Sequence, residues 1–141
     1  METIIVNTQK REEIIDITDK VKDYAKGIKE GFIIVFSKHT SNAICINEND
    51  DPKIYGDLLN FMKELVPQGK WEHDKGGKCD RGNGDAHIKS SILGSSEIIP
   101  VKEGTLQLGK WQNIWLCEFD GPREREIIIQ KWDAKYVEQN Q

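Results

Sequence analysis

The chain has 141 residues, 37% of them hydrophobic and 31% charged, with a formal net charge of -4 at pH 7. That length suits one domain, which can bury about two-thirds of the surface of its unfolded chain without a disulfide or structural metal. It is too short for a β/α barrel, which takes roughly 250 residues. Acids and bases are interspersed and no basic stripe exists, which argues against a duplex-binding module. The three cysteines, Cys45, Cys79 and Cys117, make neither a CxxC pair nor a secreted disulfide framework. The start, Met1-Glu2-Thr3-Ile4-Ile5-Val6, carries an acid where a signal peptide needs a base. No apolar run reaches the about 18 residues that span a membrane. A reduced, soluble, cytoplasmic protein is expected, with neither nucleic acid nor membrane as partner.

Residues 2–6 and 13–17 read as strands, Ile15 and Ile17 alternating with Asp16. Thr18 or Asp19 then caps a helix whose apolar stripe is Val21, Tyr24, Ala25 and Ile28. Phe32 to Phe36 is a continuous β-branched and aromatic run that suits a buried strand, and 43–46 reads as the next. Asp51-Pro52 opens a second helix, with proline where its missing N–H costs nothing. Its expected core face is Ile54, Leu58, Phe61, Met62 and Leu65, and Pro67 ends it. The polar stretch from Gln68 to Gly84 is longer than most loops of a compact domain, a length often associated with function. Ala86 to Leu93 reads as a short helix closed by Gly94, and 98–101, 105–108, 113–119 and 126–132 as strands. These elements make one α+β domain over residues 1–141, rich in antiparallel pairing.

Chemistry has few places to sit. The chain has only three histidines, His39 after the buried strand and His73 and His87 at the two ends of the long loop. Three imidazoles from separate elements can build an open zinc site, but the spacing equally suits three unrelated histidines. Asn47-Glu48-Asn49-Asp50-Asp51 reads as a turn with helix-capping acids, or as site carboxylates. Asp57 borders the apolar stripe of its helix, as an ion-pair partner or a site residue. Asn83-Gly84-Asp85 reads as a turn and cap, with Asp85 also able to orient a histidine. Glu118 and Asp120 alternate with Phe119 and so share a strand face, ahead of Gly121-Pro122-Arg123-Glu124-Arg125. The arginines offer planar forks for phosphate or carboxylate; a hairpin with surface ion pairs is the plainer reading. Trp111, beside Gly109 and Gln112, is either a core tryptophan or part of a site. Cys45 and Cys117 lie in apolar strand-like runs as inert thiols, while Cys79 in the polar loop is a candidate fourth metal ligand.

In order, His39-Thr40-Ser41, Asn47-Glu48 with Asp51-Pro52, Asp57, Trp71-Glu72-His73 and Asn83-Gly84-Asp85-Ala86-His87 resemble the YjbQ family. Leu108-Gly109-Lys110-Trp111-Gln112 and Glu118-Phe119-Asp120-Gly121-Pro122-Arg123 continue the likeness, which covers roughly residues 3 to 131. This family is also labelled secondary thiamine-phosphate synthase. Three places depart from its pattern: Gly84 stands where alanine is usual, Lys110 where threonine is, and the loop from His73 to Asn83, with Cys79 inside it, is long. The resemblance implies a sandwich-like, largely antiparallel β core with two to three helices, assembled as a homotrimer with a polar pocket near the subunit interfaces. It implies a divalent metal, zinc in type or magnesium with a diphosphate substrate, on His39, His73 and His87. It implies Glu48, Asp57, Asp85, Glu118 and Arg123 as catalytic residues. Thr40, Asn47, Asn83, Trp111, Gln112 and Arg125 would bind a small phosphorylated molecule. The implied reaction joins a pyrimidine-methyl diphosphate to a thiazole phosphate. A non-catalytic metabolite-binding trimer and a metal-hydroxide hydrolase are the competing readings, because no nucleophile stands beside an activating base.

Overall fold

The computed structural model describes residues 1–77 and 81–135; Cys79 lies outside them. The strands are β1 (Glu2–Asn7), β2 (Glu13–Asp16), β3 (Glu30–Ser37), β4 (Asn42–Glu48), β5 (Ser96–Lys102), β6 (Thr105–Leu106), β7 (Gln112–Glu118) and β8 (Glu124–Asp133). The helices are α1 (Thr18–Val21), α2 (Lys53–Leu65) and α3 (Gly84–Leu93), and 3-10 turns cover Lys22–Ala25 and Glu72–Asp74. One sheet runs β1-β8-β3-β5-β6 and the other β2-β7-β4, and every strand pair is antiparallel.

The two sheets face each other across the main core. Val6, Ile33, Val35, Ile99, Val101, Ile127 and Ile129 of the larger sheet pack with Ile44, Ile114 and Leu116 of the smaller. Strand alternation puts every second residue on this inner face. A second cluster lies on the other face of the small sheet, where Ala43, Trp115 and Cys117 meet Ile54, Tyr55, Leu58 and Leu59 of α2 and Ala86 and Leu93 of α3. The result is a stack of large sheet, small sheet and helices.

Three expectations need correction. The stripe Val21, Ala25 and Ile28 is buried and Tyr24 partly so, but the helix behind it is only Thr18–Val21 before tightening into a 3-10 turn. The chain must reverse into β3, and Gly27 at φ 89° ends the coil. On α2 only Met62 is fully buried, while Phe61 and Leu65 are 58% and 53% exposed. The packed rows are Ile54-Leu58-Met62 and Tyr55-Leu59, and Phe61 and Leu65 lie outside them on the helix. In β3, Ile33 and Val35 face the core but Phe36 is exposed, so the run is not buried on both faces. The same outer face carries exposed Ile5, Ile98 and Trp132, with Phe32 stacked on Trp132 at 5.2 Å. These apolar side chains are uncovered among the described residues.

Candidate functional site

The turn from β7 to β8 gathers buried charge. Glu118 is completely buried. Its Oε1 accepts from Thr8 Oγ1 at 2.8 Å and Arg125 Nε at 2.9 Å, and its Oε2 from the backbone N–H groups of Phe119 and Asp120, both at 3.1 Å. A terminal nitrogen of Arg125 also pairs with Oε2 and donates to Ser41 Oγ at 2.9 Å. Asp120, 3% exposed, accepts from Asn83 Nδ2 at 2.8 Å, from Arg81 Nε at 3.0 Å and from Arg123 at 3.3 Å. The two acids do alternate with Phe119, but they point inward, and the surface hairpin reading is set aside. Arg125 is as buried as Glu118, so it is placed to hold this corner, whereas the Arg123 side chain remains 38% exposed.

A second buried network starts on α3. Asp85 is fully buried and does not cap the helix; the first helical N–H, that of Gly84, instead donates to Asp74 Oδ1 at 2.8 Å. Asp85 accepts from Arg11 at 2.9 Å and, one turn on, from Lys89 Nζ at 2.9 Å, and Lys89 also reaches Glu12 at 2.8 Å. Burial pushes the Asp85 carboxyl up, but the hydrogen bonds and charges of Arg11 and Lys89 outweigh it and hold the group below the ordinary carboxylate value. A depressed carboxylate stabilises the fold above its unfolded pKa and loses that contribution as pH falls through the folded one. Wild type is therefore expected to lose this contribution progressively as pH falls from the ordinary carboxylate value towards the lower folded one. An Asp85→Asn variant should be less stable near neutral pH and flatter in its acid profile, as checked by urea melts from pH 7 to pH 3.

The histidines come next. The Thr40 carbonyl can only accept, so His87 Nδ1, 2.9 Å away, carries the proton. In the neutral tautomer His87 Nε2 then keeps its lone pair, the arrangement a backbone carbonyl imposes on metal-binding imidazoles. The His73 ring stands against it with centroids 4.8 Å apart and planes at 71°. His39 is differently occupied: its Nε2 accepts the Glu126 backbone N–H at 2.8 Å. Partial burial, then the charges of Arg125 and Arg123, lower its pKa and favour the neutral ring. His73 and His87 thus meet, while His39 joins them only through the main chain to Thr40. Among the described residues no group of three His, Cys, Asp or Glu side chains is close enough to hold a metal ion.

The remaining expected residues lie elsewhere. Asn47 and Glu48 sit at the far end of β4, Glu48 opposite Gln112, whereas Asn42 at its start lies opposite Glu118. Six strand residues separate these ends by roughly 20 Å. Trp111 is 51% exposed with Lys110 Nζ 4.9 Å from its ring, so it is no core tryptophan. Gln112 Oε1 accepts the Gly109 N–H at 2.7 Å, and Asp57 is exposed on α2. The expected residues therefore form a histidine group and a Glu48–Trp111 group, which do not converge within one chain. Thr8, Arg11 and Lys89 escaped sequence reading, and Ser41 stood in its motif without a role. Only the four-residue spacing of Asp85 and Lys89 on a helix signalled its pair in advance.

A family model described as UPF0047 protein YjbQ-like matches residues 2–134. The chain belongs to the YjbQ family. A UPF0047 relative from Archaeoglobus fulgidus is 44% identical over 127 residues, covering 89% of this chain and 96% of its own. YugU of Bacillus subtilis, a UPF0047 protein, is 42% identical over 131 residues, covering 92% and 96%. The crystal structure of an uncharacterised YjbQ-family protein from Clostridium acetobutylicum aligns with a TM-score of 0.85 at 37% identity, covering 94% of this chain and all of the other. The α+β architecture is thus that of solved YjbQ-like proteins. No helix of the described residues is long and apolar enough to cross a membrane.

Proposed function

We propose that this YjbQ chain is a metal-assisted enzyme acting on a small phosphorylated substrate, with thiamine phosphate formation as the reaction its family implies. The supporting observation is the His73–His87 pair, with His87 Nε2 left free by the Thr40 carbonyl. Two adjacent imidazoles suit a divalent cation, zinc in type; His73 and His87 would hold it, and His39 would have to release the Glu126 N–H from its Nε2 to give a third nitrogen. Bound there, the ion supplies a positive charge that draws electrons from a leaving diphosphate. In the reaction the thiazole nitrogen bonds to the pyrimidine methylene carbon, and the carbon–oxygen bond to diphosphate breaks. Arg123, exposed over the buried acids, would bind the departing oxygens and offset their charge. Arg125 and Glu118 keep that strand corner in place from below. Asp85 steadies α3, which carries His87 on its other side.

The reading includes a homotrimer in a cytoplasmic setting, in which the Glu48–Trp111 group of one copy meets the histidine group of the next. The uncovered apolar face of Ile5, Phe36, Ile98 and Trp132 supports assembly. In this arrangement Glu48 and Asp57 act on substrate held at the histidines, while Asn47, Trp111 and Gln112 enclose it. Protein expressed with zinc should carry about one equivalent of transition metal per chain. It should form thiamine phosphate from the two substrates, and chelation should abolish both properties. Metal below about one-tenth of an equivalent, with no product, would overturn the proposal.

A further inference from the structure

We infer that the hollow between the β1–β2 loop, the end of α2 and α3 is a binding site for a small polyanion of diphosphate type. The cavity is about 560 Å³. That lies within the roughly 300–1,000 Å³ of small-molecule sites. Among the described residues its walls carry Lys10, Arg11, Lys63 and Lys89, with Glu12 as the only acid. Glu12 and the buried Asp85 behind it are engaged with Arg11 and Lys89. Lys10 and Lys63 are exposed and have no ion pair among the described residues. Four cations against two acids leave an excess of two positive charges in one hollow, on a chain whose total is -4.

That excess comes from three separate segments. Like charges folded into one concavity repel each other, and a polyanion relieves the repulsion. Two of the cations are already fixed: Lys89, 1% exposed, by Glu12 and Asp85, and Arg11 by the same carboxylates. Little side-chain freedom is then lost when they bind. Arg11 keeps its side chain 31% exposed, so its planar fork can face a phosphate while Lys10 and Lys63 approach from the rim. Cations spread over three segments suit two linked phosphates better than one.

The hollow is distinct from the histidine site. Asp85 and Lys89 lie one turn apart on one side of α3, and His87, two residues from each, projects from the opposite side. The inference therefore stands whether or not the histidines hold a metal. The test is calorimetric titration with inorganic pyrophosphate at low salt, made in a His87→Ala background to remove binding at the histidines. His87→Ala protein should show one saturable site per chain that weakens as salt is added. Adding Lys10→Ala and Lys63→Ala should weaken that site by roughly tenfold or more. Both lysines are exposed and make no ion pair among the described residues, so the triple variant should melt like its parent. No saturable binding to His87→Ala protein, or equal binding by the folded triple variant, would overturn the inference.

Discussion

Replacing Arg125 with methionine should lower the melting temperature by roughly 10 °C or more, with folding losing about 3–5 kcal/mol. The guanidinium is fully buried and bridges Glu118 to Ser41. Methionine fills much of the volume but leaves the Glu118 carboxylate buried without a counter-charge. Thr8 and two backbone N–H groups still donate to it, yet they carry no full charge. An Arg123→Met control should cost far less, because that side chain is 38% exposed and its contact with Asp120 is 3.3 Å long. Combining Arg125→Met with Glu118→Gln should recover part of the loss, since the orphaned charge is then gone. Equal melting temperatures for the two arginine variants would show that the buried pair does not hold this corner.

Strand positions were legible because alternation is a local signal. The strand at Phe32 to Phe36 was found, although only Ile33 and Val35 of that run face the core, and Ile54, Leu58 and Met62 mark the packed side of α2. Depth was not legible. Asp85 reads as a cap and Asp120 as a surface acid, yet both are buried, because their partners come from Arg11 and Arg81, far away along the chain. Trp111, open between core and site in the sequence, is half exposed just before β7, which removes the core reading. The site was half legible. His73 and His87 flank one loop and meet when it folds. His39 and Glu48 are only nine residues apart in sequence, but β4 lies between them and carries them to opposite ends of the sheet.

That separation shapes the second large expected effect. If one chain supplies the histidine group and its neighbour the Glu48 group, His87→Ala and Glu48→Ala should each abolish turnover, since every boundary then lacks one half. In a closed ring each boundary takes its halves from different copies. Random assembly of equal amounts of the two variants leaves about one boundary in four with both halves intact. The decisive measurement is thiamine phosphate formation by the two variants co-expressed with separable tags and purified as mixed oligomers. A shared metal-assisted site predicts activity restored to about one-third of wild type in the purified mixed trimers, because every mixed ring of three then has one intact boundary. Mixed oligomers as inactive as the single variants would contradict it.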